Sequence, residues 1–238
     1  MLPKQSGPRL EVKHVVSRDR VPELLAWFGA HFDSDPHAAD PSCPLIRIES
    51  VYFDTENRAC YRGRSRHKLP KHRLRRYDSG AEAVLEEKLR IDDRVWKRRL
   101  PLRIDRADEI RTTRGTLEGF EEWFRARFRV LDLRPALWVA YDRFAFVGEG
   151  GDRVTIDVDS RAARIVGNDP SGFDHDSSEV SVTERAVVEV KGFPDRESPN
   201  RDALLNRLRE DRAEFSKYSC GLERVGLEAP PQEKGATS

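Results

Sequence analysis

The chain has 238 residues, of which 37% are hydrophobic and 36% are charged, well above the roughly 25% charged fraction of an ordinary soluble domain. Lys and Arg together number 43 and Asp and Glu number 42, so the net charge of +1 argues against a broad nucleic-acid-binding surface. No apolar stretch reaches the roughly 20 residues that a membrane helix needs, and the opening MLPKQSGPRL lacks the apolar core of a signal peptide. We therefore expect a cytoplasmic protein with no membrane segment and no nucleic-acid partner.

The first half of the chain combines one predicted helix with five predicted strands. Residues 46–55, IRIESVYFDT, alternate between apolar and polar side chains as a half-buried strand does. The SG and DD pairs at 79–80 and 92–93 suit the tight turns of an antiparallel meander. The proline-rich residues 33–44 are a predicted loop. In chain order, the predicted elements are a strand at 9–16, a helix at 21–32, and strands at 46–55, 71–78, 83–90 and 94–102.

The second half adds two helices and three strands, which predicts an α+β domain with about eight antiparallel strands. Phe120, Phe124 and Phe128 recur at helical spacing and indicate an amphipathic helix. Residues 167–185 are a predicted loop, and the polar residues 228–238 are a predicted disordered tail after a single domain over 1–227. In chain order, the elements are a helix at 116–131, strands at 136–147, 152–161 and 185–192, and a helix at 198–211.

Six of the predicted strands carry charged residues two apart, and such residues share one face of a strand. One interpretation is a solvated sheet face whose opposite face packs on a core. The other is the wall of a site for charged ligands, favoured because basic residues dominate and because the opposite face is also partly polar, as at His72 and Arg76. The charged pairs or triplets are Glu11/Lys13, Arg73/Arg75, Glu86/Lys88/Arg90, Lys97/Arg99, Arg153/Asp157/Asp159 and Glu189/Lys191.

A sheet of about eight strands can close into a barrel whose interior is lined by alternate residues. A barrel lined with Lys and Arg repels itself when empty and makes physical sense if it binds a polyanion. Guanidinium groups bind phosphate oxygens in pairs, and a divalent metal can bridge carboxylate and phosphate oxygens. The pattern therefore predicts an antiparallel eight-stranded β-barrel and metal-dependent phosphoryl transfer on a tri- or polyphosphate.

Nine motifs in order resemble the vacuolar transporter chaperone (VTC) domain, a family of polyphosphate polymerases within the triphosphate tunnel metalloenzyme superfamily. The resemblance runs from about residue 9 to about residue 222. It implies a basic tunnel with flanking helices, a manganese or magnesium ion, and transfer of the γ-phosphate of ATP onto polyphosphate or pyrophosphate. The motifs are EVK (11–13), YFDT (52–55), RLRRY (73–77), EEK (86–88), VWKRR (95–99), YDRFAF (141–146), RVTIDVDSR (153–161), VVEVK (187–191) and FSKY (215–218).

The resemblance also implies roles for individual residues. Glu189 matches the metal-binding glutamate of the family, and Glu11 and Glu86 are further metal candidates that could instead pair with Lys13 and Lys88. Lys217 could also be an ordinary exposed lysine. The residues implied to neutralise the transferred phosphoryl group are Arg73, Arg75, Lys88 and Lys97. Those implied to bind substrate are Lys13, Arg99, Arg143, Arg153, Lys191 and Lys217.

Two positions depart from the wider superfamily. Arg9 stands where the signature E-x-E-x-K has its first Glu, which weakens a triphosphatase interpretation, and Thr155 stands where some members carry a basic residue. Asp157 and Asp159 could bind metal or could pair with Arg161 or Arg153. Four functions stay open at this point: polyphosphate polymerase, triphosphatase, a binding module without turnover, and adenylate cyclase.

Overall fold

The computed structural model describes residues 10–36, 45–63, 69–91, 94–107, 119–166 and 172–227. They form one antiparallel sheet with helices packed against it. The strands are β1 (Leu10–Val16), β2 (Asp33–Ser34), β3 (Leu45–Asp54), β4 (Lys71–Tyr77), β5 (Glu82–Ile91), β6 (Arg94–Arg103), β7 (Arg134–Val147), β8 (Arg153–Ala163), β9 (Val180–Ser181) and β10 (Ala186–Gly192). The helices are α1 (Val21–His31), α2 (Ala59–Arg62), α3 (Gly119–Val130), α4 (Pro199–Arg207) and α5 (Lys217–Arg224).

Neighbouring strands of the sheet follow the order β1-β10-β8-β7-β3-β4-β5-β6. The eight strands of this path are those predicted from the sequence. The two-residue strands β2 and β9, which pair with β7 and β8, were missed because two residues carry no readable alternation. Within the described part of the chain, β1 and β6 are the two ends of the path.

Helices α1, α3 and α4 cover one face of the sheet in two separate apolar layers. Leu24 and Phe28 of α1 and Leu204 of α4 pack with Ile156 and Val188 from the sheet. In the other layer, Phe124 and Phe128 of α3 pack with Leu74 of β4 and Leu85 of β5. Removing these side chains from water is the main source of stability for the contacts. All three helices were predicted from the sequence, α1 and α3 from the spacing of their apolar residues.

His72 and Arg76, on either side of Leu74 in β4, each contact a carboxylate on this covered face. His72 is fully buried, and its Nε2 lies 3.0 Å from the carboxylate of Glu87. Arg76 donates to Glu49. The polar side chains beside Leu74 therefore do not indicate a second wet face, as the sequence pattern suggested, because each lies beside a carboxylate where helices and loops cover the sheet.

Some boundaries differ from the sequence prediction. The third predicted helix ends at Arg207 and is followed by a 3₁₀ turn at Arg209–Asp211. The hairpin turn expected at 79–80 lies one residue earlier, where Asp78 and Ser79 both have positive φ, as a type I′ turn requires. The predicted loop at 167–185 contains β9. Residues 116–118, the DD turn at 92–93 and the predicted tail at 228–238 lie outside the described residues.

Helix α5 is short and has few apolar residues, and it was not predicted from the sequence. It packs closely on the sheet at Gly221, where a Cβ atom would lie 2.8 Å from Leu137 and 3.1 Å from Ala162. Tyr218 at its start donates a 2.5 Å hydrogen bond to the buried Asp54 at the end of β3. Asp54 also accepts from the backbone N–H groups of Thr55 and Cys60 at 2.7 and 2.8 Å. This carboxylate therefore fixes α5 and α2 to β3.

Asp54→Ala should lower the free energy of unfolding by about 3 kcal/mol, because it leaves several buried donors without an acceptor. Tyr218→Phe removes one of these hydrogen bonds and should cost only about 1 kcal/mol. Urea unfolding followed by circular dichroism measures both changes. Equal small losses in the two variants would show that Asp54 does not hold the two helices.

Candidate active site

The strand register brings the charged residues of the sequence pattern onto one face of the sheet. Towards one end of the strand path, Lys13 lies opposite Glu189, and Glu11 lies opposite Lys191. Towards the other end, Arg73 lies opposite Glu86. We call the face that these residues share the inner face. Its charged residues are Glu11, Lys13, Lys71, Arg73, Arg75, Glu86, Lys88, Lys97, Arg99, Arg143, Arg153, Asp157, Glu189 and Lys191.

The inner face is not an ordinary solvated sheet face. Asp157 is only 2% exposed, Arg75 6% and Glu189 8%. Lys97 and Arg99 are more open, with 38% and 62% of their side-chain surface exposed. Buried charges at the centre with open charges at the edge are the arrangement expected of a binding site for a charged ligand.

Ion pairs join strands from opposite ends of the sheet across this face. Glu11 of β1 accepts a 2.6 Å hydrogen bond from Lys88 of β5 and lies 3.9 Å from Lys97 of β6. In the strand path, β1 lies at one end and β5 and β6 at the other. The sheet is therefore curved, and the inner face is its concave side.

A carboxylate holds together the arginines of β4 and β6. Glu86 accepts from Arg73 Nε at 2.5 Å and from Arg99 Nε at 2.9 Å, and Arg75 lies 3.8 Å away. Burial alone would raise the pKa of Glu86, but Arg73 and the other two guanidinium groups hold it well below its usual range. Glu86 is thus ionised and orients two guanidinium groups on the inner face.

Asp157 plays a similar part for the basic residues of β7 and α5. It accepts from Arg143 at 2.6 and 2.8 Å and from Lys217 at 2.5 Å. Lys217 has only 11% of its side chain exposed, so the alternative that it is a free surface lysine is wrong. Burial would raise the pKa of Asp157, but Arg143 and Lys217 lower it below its usual range.

The partners of Asp157 and Asp159 are not those suggested by the sequence. Asp159 pairs with Arg18 at 2.6 Å, and Arg153 pairs with Asp35 at 2.6 Å. A register shift in the pairing of β7 with β8 lies near Asp159, which has a positive φ of 48°. Such a bulge breaks the strict alternation of side chains, so Asp157 and Asp159 do not share a pattern of neighbours.

Glu189 lies beside the ammonium groups of β1 and β10. It accepts a hydrogen bond from Lys191, and Lys13 lies opposite it in the register. Burial would raise the pKa of Glu189, but Lys191, Lys13 and Arg143 hold it well below its usual range. The structure therefore presents an ionised, buried carboxylate, which suits a divalent metal, among basic groups, which suit a phosphate.

The three predicted metal ligands lie in separate ion pairs: Glu189 with Lys191, Glu11 with Lys88, and Glu86 with Arg73 and Arg99. Among the described residues, no group of three or more His, Cys, Asp and Glu side chains could hold a metal ion. Mg²⁺ is often bound by one or two carboxylates together with substrate phosphates and water. The ionised oxygens of Glu189 fit that kind of site, and the roles of Glu11 and Glu86 stay predictions.

Two inner-face residues were missed by the sequence analysis. Lys71 precedes Arg73 by two positions, and this spacing could have identified it; its Nζ lies 3.2 Å from Ser216 Oγ. Tyr52 stacks on Tyr218 with ring centroids 5.0 Å apart. Burial would raise the pKa of Tyr52, but the neighbouring guanidinium groups, led by Arg73, lower it. No simple sequence signal separates Tyr52 from an ordinary core tyrosine.

Lys97 should make ligand binding pH-dependent near neutrality. Partial burial lowers the pKa of its ammonium group, and Lys191 and Lys88 lower it further, to about 8. A polyanion favours the charged form, so binding near pH 8 should take up protons, and affinity should fall as the pH rises above about 8. Calorimetry of tripolyphosphate binding in two buffers of different ionisation enthalpy measures the uptake. Lys97→Arg, which stays charged, should reduce it; an unchanged uptake would assign it to other groups.

Comparison with known proteins identifies the family. The sequence profile of the VTC domain matches residues 8–225. The chain belongs to the VTC domain family. The curved sheet, its basic inner face and the ordered motifs are thus features of a VTC domain with the triphosphate tunnel fold.

Solved structures with a similar fold are distant in sequence from this VTC domain. A candidate adenylate cyclase from Bacillus halodurans is 11% identical, with a TM-score of 0.54 over 88% of this chain and 95% of that one. A candidate adenylyl cyclase from Hippeastrum with a dominant triphosphatase activity is 13% identical, with a TM-score of 0.51 over 91% and 96%. A search of curated proteins gave no significant match. None of the helices in the described ranges has the length and apolarity needed to span a membrane.

Proposed function

We propose that this VTC domain is an ATP-dependent polyphosphate polymerase, which transfers the γ-phosphate of ATP onto a growing polyphosphate chain. The observation that carries the proposal is the concave inner face, where Arg73, Arg75 and Arg143 lie with the ionised Glu189. Phosphoryl transfer depends mainly on positioning and on neutralising charge, so a protein nucleophile is not required. Buried guanidinium groups supply both requirements.

In the proposed reaction, the terminal phosphate oxygen of the polyphosphate chain attacks the γ-phosphorus of ATP. A new P–O–P bond forms while the bond between the γ-phosphorus and the β–γ bridging oxygen breaks, and ADP leaves. The balance is ATP plus a chain of n phosphates giving ADP plus a chain of n+1. Arg73, Arg75, Lys88 and Lys97 neutralise charge on the transferred group, while Lys13, Arg99, Arg143, Arg153, Lys191 and Lys217 bind substrate phosphates.

Two further features belong to this proposal. The first is that the sheet closes as an eight-stranded barrel, with β1 beside β6; the ion pairs of Glu11 with Lys88 and Lys97 support it. The second is a Mn²⁺ or Mg²⁺ ion held by Glu189. Such an ion supplies charge neutralisation and Lewis acidity at the phosphate oxygens when it is bound.

Product analysis with ATP, Mn²⁺ and a short polyphosphate primer tests the proposal. The polymerase forms long chains that appear as a ladder on a polyphosphate gel. A triphosphatase releases orthophosphate, a binding module leaves ATP intact, and an adenylate cyclase releases cyclic AMP and pyrophosphate. Any of these three results without polymer would overturn the proposal.

A further inference from the structure

Three lysines on adjacent strands lie directly opposite one another on the inner face. The register pairs Lys71 of β4 with Lys88 of β5, and Lys88 with Lys97 of β6. We call this set the lysine row. Like charges directly opposite each other destabilise neighbouring strands. The row is therefore an energetic cost to the free sheet that a bound anion would relieve.

The next row of the same three strands is built differently. There the register pairs Arg73 with Glu86 and Glu86 with Arg99, so that charges alternate in sign. We call this set the arginine row. The protein thus supplies a counter-charge inside the arginine row and none inside the lysine row.

Only part of the charge near the lysine row is neutralised from elsewhere. Glu11 pairs with Lys88 and lies 3.9 Å from Lys97. The hydrogen bonds of Lys71 and Lys13 go to neutral groups, Ser216 Oγ at 3.2 Å and the carbonyl oxygen of Phe215 at 2.8 Å. Across the described ranges of the chain, neither ammonium group lies within ion-pair distance of a carboxylate.

The electrostatic environment agrees with this geometry. Burial lowers the pKa of Lys71, and the nearby charges of Lys13 and Lys88 lower it further. Burial also lowers the pKa of Lys13, although the negative charge of Glu189 on the neighbouring strand partly raises it again. The lysines around Ser216 therefore form a zone of excess positive charge within the site.

The chemistry of the two rows suits different ligands. A guanidinium group is a rigid fork that fixes a phosphate in one orientation. An ammonium group is a compact charge on a flexible stem that accepts oxygens from several directions. A growing polyphosphate must move by one unit after each addition, whereas the triphosphate of ATP must be held in one position for in-line transfer.

We propose that the lysine row, together with Lys13, binds the end of the acceptor polyphosphate chain, and that Lys71 is a substrate-binding residue of this subsite. The arginine row and Arg75 then hold the triphosphate of ATP. This assignment rests on the proposed polymerase function and adds to it a separate site for the second substrate.

The test compares wild type, Lys71→Gln and Lys71→Arg in primed synthesis. Lys71→Gln should raise the KM for a short polyphosphate primer about 10-fold, since one charge-assisted hydrogen bond is lost. The KM for ATP should change by less than about twofold, because Lys71 is not among the residues assigned to the triphosphate of ATP. Lys71→Arg keeps the charge and should recover most of the primer affinity. An equal rise in both KM values, or no rise in either, would overturn the assignment.

Binding measurements separate this inference from the polymerase proposal. If the wild type makes no polymer, the proposed function fails, and titrations with polyphosphate and with a non-hydrolysable ATP analogue still decide the role of Lys71. Selective loss of polyphosphate binding in Lys71→Gln supports the lysine row as a chain-binding subsite. Equal loss for both ligands, or none, overturns it. Thermal unfolding of the variant provides the folding control, and removal of a like charge should leave stability unchanged or raised.

Discussion

Arg75→Ala should lower kcat/KM for ATP by about 100- to 1,000-fold, the loss seen when one preorganised group that stabilises transition-state charge is removed. The reason is that Arg75 is buried on the inner face and makes no short hydrogen bond to a carboxylate of the described structure. Its side chain is 8% exposed, its nearest carboxylate oxygen on Glu86 is 3.8 Å away, and its Nε has no hydrogen-bond partner in the described structure. Steady-state kinetics at saturating metal measures the effect.

The neighbouring arginine on the same strand provides the control. Arg76 points to the covered face, where it donates to Glu49 and lies 4.3 Å from the ring centroid of Phe173. Arg76→Gln keeps a hydrogen-bond donor for Glu49 and should change kcat/KM by less than about threefold, provided the assay is run well below its unfolding temperature. If the two variants lose activity equally, the separation of inner and covered faces has no bearing on catalysis.

Glu189→Gln should raise the metal concentration for half-maximal activity by about 10- to 100-fold and lower turnover at low metal correspondingly. The substitution keeps the shape of the side chain and removes the charge that a divalent ion requires. Glu189 is 8% exposed and ionised, with Lys191, Lys13 and Arg143 around it. A titration of activity with Mn²⁺ and with Mg²⁺ measures the change.

A metal role and an ion-pair role for Glu189 predict different titrations. If Glu189 serves only as partner to Lys191, the variant will lose activity at every metal concentration with no shift in the midpoint. Glu11→Gln and Glu86→Gln are the matched variants, since each also lies in an inner-face ion pair. A midpoint shift as large in either of them would place that carboxylate in the metal site as well.

Much of the site could be predicted from the sequence because its charged residues recur at every second position of the strands. Residues two apart on a strand share a face, and antiparallel pairing of consecutive hairpins keeps that face continuous. The pairs Arg73/Arg75, Lys97/Arg99 and Glu189/Lys191 could therefore be assigned to one face of the sheet before the register was known.

The specific partners could not be predicted, because they depend on register and on irregularities. The pairing of Asp157 with Arg143 and Lys217 follows from a bulge near Asp159 and from helix α5, which the sequence did not reveal. To predict the lysine row, one must know which residues of β4, β5 and β6 lie opposite one another. His72 shows the same limit on the covered face. Its polarity suggested contact with solvent, but it is buried beside Glu87.

The central claim is that this inner face transfers phosphoryl groups to a polyphosphate chain. Following the γ-phosphate of ATP into the products tests it most directly. ATP labelled at the γ-position is incubated with wild type, Mn²⁺ and an unlabelled primer, and the products are separated before and after digestion with an exopolyphosphatase. We predict label in long chains that the exopolyphosphatase degrades, and its loss in Arg75→Ala. Label recovered only as orthophosphate, or left in ATP, would contradict the account.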